Sequence, residues 1–199
     1  GPWVPVLECL ASCLSALRAG ASSFWFWVGY SQPAVLTVGP GWCKVDIWAL
    51  YVVFAAEMAV RGRVPPTLND SEPFIQLHNI ATTPLLPGAP RLSGIPEGSA
   101  SKNMFAAIRT LEVEPPSQDS VGMEMIRRYL LFQGTTFTVK AATDFPVGAD
   151  PNLHRELLFK SRFFHVVDAT LTVVGAEAQP LSWPECYVNR DLVVALYLS

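Results

Sequence analysis

The sequence predicts a mainly β protein, an antiparallel β-sandwich or jelly roll with two or three short helices in its loops. Three observations point there. β-branched and aromatic residues recur in runs that alternate with polar ones, and 17 prolines and 13 glycines punctuate those runs. No long helical pattern alternates with strands, as a parallel sheet would require. Hydrophobic residues make up 50% of the 199 positions and charged residues only 16%, against about 25% charged in an ordinary soluble domain. Such a chain has a large core or covers its faces with neighbours. One domain spanning residues 1–199 is the natural count at this length, and no internal repeat of constant period is visible.

The elements follow in chain order. Leu7, Leu10, Leu14 and Leu17 recur at helical spacing, and Arg18 and Gly20 end that helix. The aromatic run Ser23 to Val28 is the first expected strand, and Ala34 to Val38 a short second one. Lys44 to Val53 alternates at its start and is apolar on both faces later, as in a strand that passes from solvent into cover. Residues 61–101 turn to proline, glycine and serine and read as one long loop, with Phe74 to Leu77 a short edge strand inside it.

Asn103 to Glu114 alternates towards its end and is stopped by Pro115 and Pro116. Asp119-Ser120 is placed to cap a short helix from Met123 to Phe132, with Arg127 and Arg128 pointing outward. Thr135 to Ala141 is a half-exposed strand, Asn152 to Lys160 a second short helix, and Arg162 to Val174 the longest alternating strand. Tyr187-Val188 and Leu192 to Leu198 close the chain as strand.

Two stretches carry a family resemblance. The leucine helix, then Arg18-Ala19-Gly20, then the strand from Ser23 resembles the middle of the jelly-roll coat domains of picorna-like viruses. Leu111-Glu112-Val113-Glu114-Pro115-Pro116 resembles the Glu-Val-x-x-Pro strand end of the same domains, in the expected order, though the aromatic residue that usually follows the proline is absent. The helix also stands almost at the start of the chain, where the family places two strands before it. The resemblance implies a coat subunit that assembles with other capsid subunits, of its own and other kinds, located in the virion and in host cytoplasm during assembly. Trp25, Trp27 and Trp48 are the expected subunit contacts, because large aromatics carry interface energy.

Charge and motifs narrow the chemistry. A formal charge of −3 leaves no basic arm to neutralise nucleic acid. Genomic RNA is therefore a weak partner, met through Arg127 and Arg128, the one adjacent basic pair. No stretch of eighteen uncharged apolar residues and no basic start followed by an apolar run is present, so neither a membrane span nor a signal peptide is expected. Cys9, Cys13, Cys43 and Cys186 lack paired metal-ligand spacing and read as packed thiols, so no metal and no cofactor is expected.

His78, His154 and His165 sit in no nucleophile or metal motif, and no catalytic residue is assigned. Glu112 and Glu114 share a strand face, where a solvated surface explains them better than a glycosidase pair does. The expected protein is not an enzyme. The alternative is a non-viral β-sandwich module that binds a ligand along its proline-rich segment; a hydrolase on the same sandwich ranks third.

Overall fold

From Gly41 onward most of the described residues lie in strands. The computed structural model describes residues 41–86, 88–112, 124–148, 150–174 and 179–198. The expected leucine helix and the first two strands, with Cys9, Cys13, Trp25 and Trp27, lie outside the described residues. So do Val113 to Pro116 of the second motif. The described elements are β1 (Gly41–Ala49), β2 (Val52–Val60), helix α1 (Val64–Asn69), β3 (Phe74–Pro84) and β4 (Leu92–Ser101). A 3-10 turn (Lys102–Met104) leads into β5 (Phe105–Thr110). Then come β6 (Met125–Gly134), β7 (Phe137–Pro146), helix α2 (Pro151–Leu158), β8 (Phe163–Val173) and β9 (Leu181–Asn189), with a second 3-10 turn (Arg190–Leu192) before β10 (Val193–Leu198).

All ten strands join one antiparallel sheet in the order β10-β6-β7-β8-β9-β5-β1-β2-β3-β4. The mainly β, antiparallel architecture is as the sequence predicts. β1 to β4 and β6 to β9 each pair as a meander, with β5 and β10 returning beside β1 and β6, whereas a jelly roll is built from two Greek keys.

The order contains a duplication. Residues 41–110 and 125–198 each run strand, strand, helix, strand, strand, 3-10 turn, strand. In each half the last strand pairs with the first, giving β5-β1-β2-β3-β4 and β10-β6-β7-β8-β9. Fine detail repeats as well. Gly62 and Gly148 both have positive φ (87° and 79°), and each stands three residues before a proline, Pro65 or Pro151, in the first turn of its helix. The pairing of β2 with β3 shifts after Ala55, and that of β7 with β8 after Lys140. The extra residues lie beside Asn79 and Asp168, the two residues inside strands with positive φ, 50° and 52°. Leu92-Ser93 with Pro96-Glu97 in β4 matches Leu181-Ser182 with Pro184-Glu185 in β9.

The sequence shows no constant period because the spacing between matched elements drifts: loops and helices differ in length, and most side chains have diverged.

Each half closes on its own core. Val45, Ile47, Met58, Val60, Leu68, Leu77 and Phe105 pack in the first, and Leu130, Phe132, Val139, Phe145, Phe164 and Val166 in the second. β5 and the end of β1, from Ile47 to Ala49, are covered on both faces. Their Val45, Ile47 and Ile108 point into the first core while Trp48, Ala106 and Ala107 point into the second.

Four expectations change. Lys44 to Val53 is not one strand but parts of the β1-β2 hairpin, turning at Leu50-Tyr51, and Leu50 takes φ 50° without the glycine or asparagine that usually marks such a turn. Residues 61–101 are not a loop; they form α1, β3 and β4, since proline and glycine are tolerated on an outer strand. Of the helix expected from Met123 to Phe132, the residues from Met125 on are strand β6, paired on both sides by β7 and β10. Leu130 and Phe132 fit one strand face as readily as Ile126 and Leu130 fit a helix stripe, and the ladders decide. The alternation read along Arg162 to Val174 breaks at Asp168. Phe164 and Val166 face the core before the bulge, and Ala169, Leu171 and Val173 after it.

Candidate functional site

The predicted site residues separate in space. Trp48 is fully buried, its ring edge-on to Phe137 at 5.5 Å between centroids and its indole N–H donating to the Leu50 carbonyl at 2.9 Å. It joins the two halves of one chain and is not available to a neighbouring subunit, which corrects its assignment as a subunit contact. Arg127 and Arg128 lie on a strand, and alternation turns them to opposite sides of the sheet. Arg127 donates to both Asp144 oxygens at 3.0 and 3.2 Å and lies 3.6 Å from Asp168. That hydrogen-bonded pair holds the Asp144 carboxyl below its usual value and raises the Arg127 guanidinium. Its charge is thus already matched by two carboxylates, whereas Arg128 has no hydrogen-bond or ion-pair partner among the described residues and is the cation of the pair left to offer phosphate.

The histidines occupy three settings. His165 faces outward, 3.4 Å from Glu185. His154 on α2 stacks on Phe145 with centroids 4.3 Å apart. His78 stacks on the partly exposed Trp42, centroids 3.8 Å apart and planes 21° from parallel, with Glu97 3.9 Å away. Glu112 is exposed just beyond β5, and Glu114 lies outside the described residues. Cys43 and Cys186 are buried, and burial pushes the Cys186 thiol up to about 12. Among the described residues, no group of three or more His, Cys, Asp or Glu side chains is placed to hold a metal, and no helix is long and apolar enough to cross a membrane.

The most developed constellation is the seam between the halves, which sequence reading missed. β9 of the second half pairs with β5 of the first, Val188 opposite Ala107 and Tyr187 opposite Ile108. Polar side chains stitch its flank. Asn69, at the end of α1, donates to the Phe163 carbonyl at 3.0 Å and accepts from the Phe163 N–H at 2.8 Å. The fully buried Asn189 donates to the Lys102 carbonyl at 3.2 Å and accepts from the Asp191 N–H at 3.0 Å. Arg162 donates to Asn103, and the Arg109 guanidinium, paired with Asp46, lies 5.2 Å from the centre of the Trp183 ring. Three asparagines in or beside 3-10 turns or at a helix end were the available signal, and Asn69 and Asn189 read locally as end residues of those elements.

Lys102 belongs to the same seam. Its ammonium donates to the Thr67 and Asp70 carbonyls at 3.2 and 3.3 Å and pairs with the Asp70 carboxylate, at the C-terminal end of α1. Arg190 does the corresponding work in the second half, donating to the Phe159 carbonyl at 2.7 Å beyond the end of α2. The arrangement joins two like halves of the chain strand to strand. Comparison with family models, with curated proteins and with solved structures finds no match for this chain.

Proposed function

We propose that this chain is a structural subunit that works by assembling with other protein chains, and that the assembly is the coat of a small picorna-like RNA virus. Apolar side chains along the outermost strands support the assembly reading: Val194 and Tyr197 on β10, Leu92 on β4 and Phe74 at the start of β3 are all exposed. Single exposed apolar residues are ordinary. These cluster at the two edges of the sheet, where strand backbone also lacks a further strand among the described residues. The coat assignment rests on the two sequence motifs and the charge-poor composition, with other coat polypeptides as partners and RNA a minor one. The meander order lends it no added support.

The second reading, a ligand-binding module, is favoured by the exposed Trp42-His78 stack beside Glu97, a flat surface on which a planar group can lie. Light scattering with negative-stain microscopy of the purified chain separates the two. Uniform shells support the coat, and a stable single-chain mass with Trp42-dependent fluorescence changes on adding planar ligands supports the module.

A further inference from the structure

The seam inside the chain is formed by two surfaces that each recur at an end of the sheet, with no further strand paired there among the described residues. In sheet order the second half presents β9 to β5 of the first. By the duplication, β4 is the counterpart of β9 and β10 the counterpart of β5, and these two are the outermost strands. Exposure changes at matched positions as an uncovered joint requires. Phe163 is 2% exposed at the seam, whereas its counterpart Phe74 is 56% exposed; Ala106 is 0% exposed, whereas its counterpart Val194 is 68% exposed. Val193, Ala195 and Leu196 are likewise only partly covered where Phe105, Ala107 and Ile108 are buried.

We infer that a second copy of this chain adds at these edges, β4 of one copy pairing antiparallel with β10 of the next, in the register the internal seam already uses. This rests on the assembly reading above and names its partner and contact. Transferring the pairs Ala107 with Val188 and Ile108 with Tyr187 places Ala195 opposite Ala100 and Leu196 opposite Ser99. Pro96 lacks an N–H, yet it does not block the edge: β9 carries Pro184 at the matched position and still pairs through Tyr187 and Val188. Ser101 stands where Asn189 stands at the seam, so its hydroxyl is placed to donate to the Arg190 carbonyl of the next copy, as Asn189 donates to that of Lys102. The joint is head-to-tail, with each copy offering one edge of each kind. Repetition closes into a ring or continues as a filament according to the rotation per copy. Apolar burial of Phe74 and Val194, together with new ladder hydrogen bonds, drives it.

The test uses the full chain. Separate Ala100→Cys and Ala195→Cys variants are oxidised alone and as an equal mixture, because cross-strand neighbours lie within disulfide reach. Light scattering meanwhile follows the mass of the unmodified chain and of Val194→Asp over a concentration series. Expected are oligomers of the unmodified chain, a covalent dimer that appears only in the mixture, and association about tenfold or more weaker in Val194→Asp, whose fold is checked by circular dichroism. Oligomers without the mixed disulfide, or undiminished in Val194→Asp, overturn the edge pairing alone. A single-chain mass at every concentration overturns both it and the assembly reading.

Discussion

A lysine is almost never fully buried without partners, and Lys102, 1% exposed, has three: two carbonyls that α1 leaves unbonded at its end and the Asp70 carboxylate. Lys102→Met keeps the length of the side chain and removes its donors. It is expected to cost about 1–3 kcal/mol in denaturant unfolding, the penalty for orphaned buried acceptors. Cys186 offers a second check. With its thiol at about 12 and its side chain buried, alkylation of the native protein at pH 8 should leave Cys186 unmodified by mass spectrometry until denaturant is added.

At Asp144 the folded carboxyl lies below its ordinary 3.8 because Arg127 bonds the charged form. Its stabilising contribution is complete above that value and is lost as the pH falls through the lower folded value. Asp144→Asn should therefore flatten the decline of melting temperature on the acid side of 3.8 and change little at pH 7 in slope. The effect is small, since both partners are exposed and screened.

Two bulges set the shape of β3 and β8 by switching which alternate residues face the core. Asn79 and Asp168 occupy the left-handed region there, which their short polar side chains tolerate and β-branched ones do not. Asn79→Val is expected to cost about 1–2 kcal/mol, whereas Asn79→Gly, which relieves the backbone, should stay close to the parent. An equal loss in both variants would show that the bond from Asn79 to Glu57 at 2.9 Å, rather than backbone conformation, matters most. The bulges also show why hydrophobic patterning misjudged these elements. Alternation along Phe163 to Val173 is regular in the letters, and the single inserted residue that reverses the faces is visible only once Lys140 and Ala142 are paired across to β8. Met125 to Gly134 failed differently: its apolar spacing suits either a helix or a strand, and flanking ladders settle it.

The two halves share β5 and the end of β1, buried on both faces, so they are expected to unfold together. Phe163→Ala removes a ring that belongs to the second half by sequence and to the first core by packing. It should cost about 3–5 kcal/mol while a single transition is preserved by both circular dichroism and tryptophan fluorescence. Two separated transitions would show that the seam is not a cooperative joint. The same both-sided burial removes Trp48 from any outer interface. A tryptophan predicted to meet a neighbour does meet one, the second half of its own chain.

Mainly β content, helix α2, and strands near Asn103 to Thr110, Thr135 to Ala141 and Arg162 to Val174 were legible in the order of residues, because alternation and turn chemistry act over a few positions. The Leu111 to Pro116 motif was legible only as letters, and of it the described residues include Leu111 and Glu112. The hairpin at Leu50, the proline-bearing strand β4, the duplication and the seam were not legible. The hairpin turns at Leu50 without a residue that marks it, and the others depend on pairing further along the chain: β4 against β3, Asn189 against Lys102, β9 against β5. Local composition specifies which segments extend. Pairing across long separations specifies which edge each extended segment meets, and so which two strands end this sheet among the described residues.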